Sequence, residues 1–155
     1  MWKITLHRAM PFVAFWLLAA IVWPSTASSS PAPLKITPQC PSSIQEFEIK
    51  LQNIPSGWSS YVARPMYLNS AAPTDGPPQQ KGELADYVES QKRKLTTDTY
   101  DLDGRFPDGK WLRCSYGEYA EITLAKRLDD SITKCAFTYK KGQKAGQNDI
   151  QIQCE

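Results

Sequence analysis

At 155 residues, with 18 basic against 16 acidic side chains and a mean hydropathy of −0.45, the chain has the length of one domain and little excess charge. That balance excludes the broad basic surface by which a domain attracts nucleic acid or anionic lipid. The only histidine, His7, lies near the start, which excludes Ser–His–Asp, Cys–His and imidazole–zinc sites from everything downstream.

The N-terminus reads as an export signal. Lys3, His7 and Arg8 precede the apolar run Pro11–Trp23, and Ser25-Thr26-Ala27 offers small residues for cleavage before Ser28. The run is too short for an anchor, since spanning the hydrocarbon core takes roughly 20 apolar residues. Cys40 follows Ile36-Thr37-Pro38-Gln39, far from the apolar run, which argues against lipidation. The expected organisation is a signal peptide over 1–27, a flexible Ser/Pro-rich lead over 28–39 and a single β-rich domain over 40–155. Cleavage removes Lys3 and Arg8, leaving 16 basic and 16 acidic residues, so the mature chain is near neutral despite a whole-chain pI of 8.3. The expected location is the periplasm, with no stable membrane anchor after cleavage.

Along the mature chain, Gln45, Phe47, Ile49 and Leu51 alternate with Glu46, Glu48, Lys50 and Gln52, the pattern of a half-buried strand. Ile54-Pro55-Ser56-Gly57-Trp58 closes it. Residues 61–68 read as a strand that Pro65 confines to an edge or breaks. Asn69 to Gln80, with three prolines, reads as a loop. Gly82 to Lys94 allows a short helix near 83–92, and Lys92-Arg93-Lys94 an exposed turn. Residues 95–102 read as a strand, followed by a long turn over 103–109.

Two hairpins follow. For residues 110–116 and 120–127, a three-residue loop over 117–119 pairs Cys114 with Ile122, Leu112 with Leu124 and Tyr116 with Ala120, keeping one face apolar. Cys114 then points inward, while Trp111, Arg113, Ser115, Glu121 and Thr123 share the other face. In the last hairpin, matching apolar faces pairs Tyr139 with Ile150, Phe137 with Ile152 and Cys135 with Cys154. Directly opposed residues lie ~4.5–5.5 Å apart, inside the disulfide range of roughly 4.4–6.8 Å.

All four cysteines survive cleavage, and an even number in an exported chain implies disulfides. The register joins Cys135 to Cys154, which leaves Cys40 for Cys114. The expected fold is mainly β: six or seven antiparallel strands in a meander forming a sandwich or incomplete barrel, disulfide-stapled, with one short helix.

The chemistry open to such a chain is narrow. No close cysteine pair suits a metal, no cofactor motif occurs, and no catalytic residue is assigned. Asp101 with Asp103, Asp86 with Glu89, and Asp129 with Asp130 are acid pairs of the kind that could act on a sugar, but each reads first as turn or solvent-face charge. Recognition falls to Trp111, Arg113, Tyr119 and Glu121. The first two share a face with Glu121, and Tyr119 sits at a hairpin tip; Trp beside Arg is typical of interface anchors, and equally of an aromatic covered by the second sheet, as the usual burial of Trp favours.

Taken in order, Cys40-Pro41, Pro55-x-Gly57-Trp58, Asp75-Gly76-Pro77-Pro78, Trp111-Leu112-x-Cys114-x-Tyr116, Leu124, Leu128, Cys135 and Cys154 resemble a family of small exported proteobacterial proteins. That family is known mainly by a locus-tag name and is uncharacterised. The resemblance implies a Gram-negative periplasmic location and no known enzymatic activity. Members encoded near contact-dependent secretion systems suggest an immunity-type role. The expected function is therefore an exported, non-enzymatic protein that binds a periplasmic protein partner, such as a cell-wall-targeting effector. A lysozyme-inhibitor-like or envelope-stress protein is the alternative, and a carboxylate-dependent carbohydrate-acting enzyme a third.

Overall fold

The computed structural model describes residues 37–155. The expected signal peptide and most of the expected lead lie outside the described residues. Thr37 to Gln39 have no regular structure.

Eight strands follow: β1 (Ser43–Ile44), β2 (Met66–Asp75), β3 (Val88–Lys92), β4 (Leu95–Asp101), β5 (Lys110–Tyr116), β6 (Ile122–Arg127), β7 (Lys134–Lys141) and β8 (Asn148–Cys154). They form two antiparallel four-stranded sheets, ordered β1-β2-β5-β6 and β3-β4-β7-β8. The order is no meander. The hairpins β3–β4, β5–β6 and β7–β8 alternate between the sheets, so β2 pairs with β5 and β4 with β7. Among the described residues the only helical pieces are 3₁₀ turns, Glu46–Glu48 and Pro78–Gln80.

The sheets enclose one core. Leu68, Ala71, Leu112, Cys114 and Tyr116 come from the first, and Tyr100, Cys135, Phe137, Ile152 and Cys154 from the second. Leu102, Leu128 and Ile132 close one end. Tyr100 packs edge-on against Phe137, with ring centroids 5.6 Å apart.

The last hairpin has the expected register throughout: Cys135 faces Cys154, Phe137 faces Ile152 and Tyr139 faces Ile150. Disulfides join Cys135 to Cys154, with Cα atoms 4.1 Å apart, and Cys40 to Cys114, 5.8 Å apart. In the chain-entropy account the second closes the longer loop and stabilises by about 4 kcal/mol.

The β5–β6 hairpin departs by one step of two residues. Cys114 faces Leu124 and Tyr116 faces Ile122, around a five-residue loop. A two-residue slip preserves side-chain parity, so Cys114 still points inward. Gly117, at φ 90°, turns its N–H to the Tyr67 carbonyl on β2 (2.9 Å), which takes it out of a tight hairpin. The wider loop sets Ile122 rather than Ala120 against Tyr116.

Three local expectations are corrected. Residues 45–52 are not a strand: a 3₁₀ turn is capped by Glu48, whose Oε2 accepts the Gln45 N–H (2.7 Å), and Phe47 lies in solvent. Asn69 to Asp75 is not a loop but the body of β2, with a bulge between Leu68 and Ser70. Pro73 is tolerated there because Asp75 donates its N–H to the Gly82 carbonyl (2.9 Å), away from β5. By the two-residue period Pro73 turns its missing donor to that same open edge. Residues 83–92 hold no helix; Val88–Lys92 is the edge strand β3, and Arg93 and Lys94, both at positive φ, form its two-residue turn.

Candidate partner-binding surface

Strands β2, β5 and β6 turn one face from the core, and residues of alternate parity gather there. Trp111 lies between Thr74 and Arg127, Arg113 between Ala72 and Ala125, and Ser115 between Ser70 and Thr123. Trp111 is half-buried and donates its indole N–H to the Asp108 carbonyl (3.1 Å). An open groove of about 520 Å³ runs along this face, lined by Pro77, Pro78, Trp111, Glu121, Thr123 and Ala125 among others.

The face brings Trp111 and Glu121 to one groove, although Glu121 belongs to the loop before β6 rather than to the strand. Arg113 is engaged otherwise. Its guanidinium pairs with Glu83, which returns along the open edge of β2 through a bridge to Thr74. Small Ala72 stands beside Arg113 on that route. Tyr119 is 83 % exposed at the hairpin tip and does not line the groove. Its backbone N–H donates to Glu121 Oε2 (3.0 Å), so Glu121 stiffens the loop that presents the Tyr119 ring.

Three features were not anticipated. Lys110 points inward with Leu112 and Cys114, and its Nζ donates to the carbonyls of Asp130 (2.9 Å) and Ile132 (2.5 Å). The strand parity that placed Cys114 inside carried this signal. Glu83 was not anticipated as the partner of Arg113, because the return of the chain to β2 leaves no periodic trace. Third, Glu89 on β3 and Asp98 on β4 stand directly opposite each other on the inward side of their sheet. Burial, and then the Glu89 charge, hold the Asp98 carboxyl above the usual carboxylate range. Asp98 Oδ1 is buried without a hydrogen-bond partner. Nearby, Tyr139 donates its hydroxyl to the Ala71 carbonyl, tying the sheets together, and burial pushes its pKa up.

The acid pairs are distributed unevenly. Asp86, Asp101 and Asp103 share an open groove of about 830 Å³ with Tyr87, Lys134 and Glu155. Asp101 Oδ1 accepts the Asp103 N–H (2.9 Å) in a local turn. Glu89 is not there but faces Asp98. Asp129 is held below the usual range by its hydrogen bonds from Ser131, and Asp130 pairs with Arg127 (3.1 Å). Among the described residues no three His, Cys, Asp or Glu side chains are placed to hold a metal ion.

The sequence pattern of the type VI secretion system Tli immunity proteins matches residues 63–155. The chain belongs to that family. The match takes in β2 through β8 and three of the four cysteines, and begins after β1 and Cys40. No curated protein and no solved structure matches the chain. The immunity-type, effector-neutralising function expected above is that of the family. The resemblance to an uncharacterised family is corrected accordingly: the family is one of immunity proteins.

Proposed function

We propose that this immunity protein works in the periplasm, where it binds an incoming type VI effector protein and occludes it without catalysis. Membership of the Tli immunity family carries the reading. Two disulfides suit an oxidising compartment, and the N-terminal export pattern suits passage to it. A stapled sandwich presents its surface preorganised, which lowers the entropic cost of tight binding. Trp111, Tyr119 and Glu121 on the β5–β6 face are the contacts assigned to the effector, with Arg113 held in place by Glu83. The organisation is that of a leader over 1–27, a lead over 28–39 and one binding domain.

The test is survival of sensitive recipient cells challenged by attackers with an active type VI system. Recipients making the full chain should survive, and recipients making a chain that starts at Ser28, retained in the cytoplasm, should not. Equal killing of recipients with and without the full chain would refute the reading.

A further inference from the structure

Residues 45–64 leave the core after β1 and return at β2, and nothing in either sheet pairs with them. The backbone hydrogen bonds of this strap are local: Glu48 to Gln45, Ile49 to Glu46 and Trp58 to Pro55. Yet it carries Phe47, Trp58 and Tyr61 at 73, 77 and 86 % exposure, with Leu51 and Ile54 also in solvent. At ~200 Å² per aromatic side chain, the three rings alone expose roughly 450 Å². That is more than half of the ~800 Å² that one partner contributes to a standard interface.

The pattern of the strap sharpens the point. Phe47, Ile49 and Leu51 alternate with charged residues as in a half-buried strand, but only Ile49 is half-buried, and Phe47 and Leu51 lie in solvent. Patterning that fails to match the free fold is expected at functional sites. Most of the strap also precedes residue 63, where the match to the immunity family begins. Its ends are fixed, by the Cys40–Cys114 disulfide and β1 before it and by β2 after it, so less freedom is lost on binding. Its charges, Glu46, Glu48, Lys50 and Arg64, cancel, which disfavours an anionic membrane as its target.

We propose that the strap is an effector-docking element, in which Phe47, Leu51 and Trp58 insert into an apolar surface of the effector protein. This rests on the immunity reading above. The test uses the same attack assay, with recipients making the full chain, Phe47→Ser/Leu51→Ser/Trp58→Ser, or Val88→Ser, an exposed apolar control on β3. The triple variant should keep both disulfides and its thermal midpoint within about 2 °C, since the altered side chains are exposed. It should nonetheless lose protection of the recipients, since removing even one hot-spot side chain weakens binding about thirtyfold or more, while Val88→Ser protects fully. Killing of cells with the parent chain would refute the immunity reading and this inference with it. Full protection by the folded triple variant would refute the inference alone. Two further outcomes would also overturn it by assigning the strap elsewhere: flotation of the parent with phosphatidylglycerol-containing vesicles, or a parent dimer, either abolished in the variant.

Discussion

The C-terminal hairpin and the strap over residues 45–64 carry the same kind of sequence and meet opposite fates. In the hairpin, Cys135, Phe137 and Tyr139 share one face and find Cys154, Ile152 and Ile150 across the ladder; Cys135 and Phe137 are buried and Tyr139 is half-buried. In the strap, Phe47, Ile49 and Leu51 alternate with charged residues, yet Phe47 and Leu51 stay in solvent. Period-two patterning thus says that a segment can bury one face, not that its own fold provides the cover. A partner strand within reach and a turn that sets register decide the outcome.

The sharpest way to break this comparison is a matched pair of phenylalanines. Phe137→Ala should cost about 3–5 kcal/mol, the usual loss for a fully buried ring, whereas Phe47→Ala should stay within about 0.5 kcal/mol. Urea unfolding of the oxidised variants measures both, and a large loss at Phe47 would mean that the strap packs on the domain. The staple across the hairpin comes next. Replacing Cys135 and Cys154 together by Ser should remove about 3 kcal/mol, from the loop of separation 19 that the bond closes. An unchanged midpoint on thermal unfolding would show that the ladder holds the hairpin without the bond.

The smallest effect comes from β3, an edge strand that is exposed along its whole length yet paired. Its inward Glu89 faces Asp98, and like charges directly opposed are destabilising. Because the folded state raises the Asp98 pKa, it holds that proton more tightly than the unfolded chain. Stability then declines as pH rises from the unfolded value of ~3.9 through the raised folded one. Asp98→Asn should abolish that decline, stabilising by up to ~1 kcal/mol at pH 7 and by almost nothing near pH 3. Denaturant titrations at the two pH values check the sign, and a loss at pH 7 would show that the carboxylate has a favourable partner.

What was legible followed from local periodicity. The inward aim of Cys114 and the full register of β7–β8 could be read from side-chain alternation, and with them both disulfides. The body of β2 could not, because Asn69, Ser70, Ala71, Ala72 and Pro73 are poor strand formers. Asn69 sits in the bulge, and the others pair only because β5 lies on one side and Pro73 turns to the open edge. Nor could β3, whose residues bury nothing and so leave no apolar trace. At the candidate surface, parity grouped Trp111, Arg113 and Glu121, and the structure places Trp111 and Glu121 along one groove. The ion pair of Arg113 with Glu83, thirty residues away in sequence, depends on a tertiary return that no local pattern encodes.

The central claim is neutralisation by binding, and the most direct measurement is a titration of effector activity. Purified effector from the attacking strain would be held at fixed concentration, well above the dissociation constant, while the oxidised immunity protein is added. Binding predicts a linear fall to zero at about one equivalent, with no dependence on incubation time. Loss of activity that deepens with time at far less than one equivalent would show turnover and contradict the account.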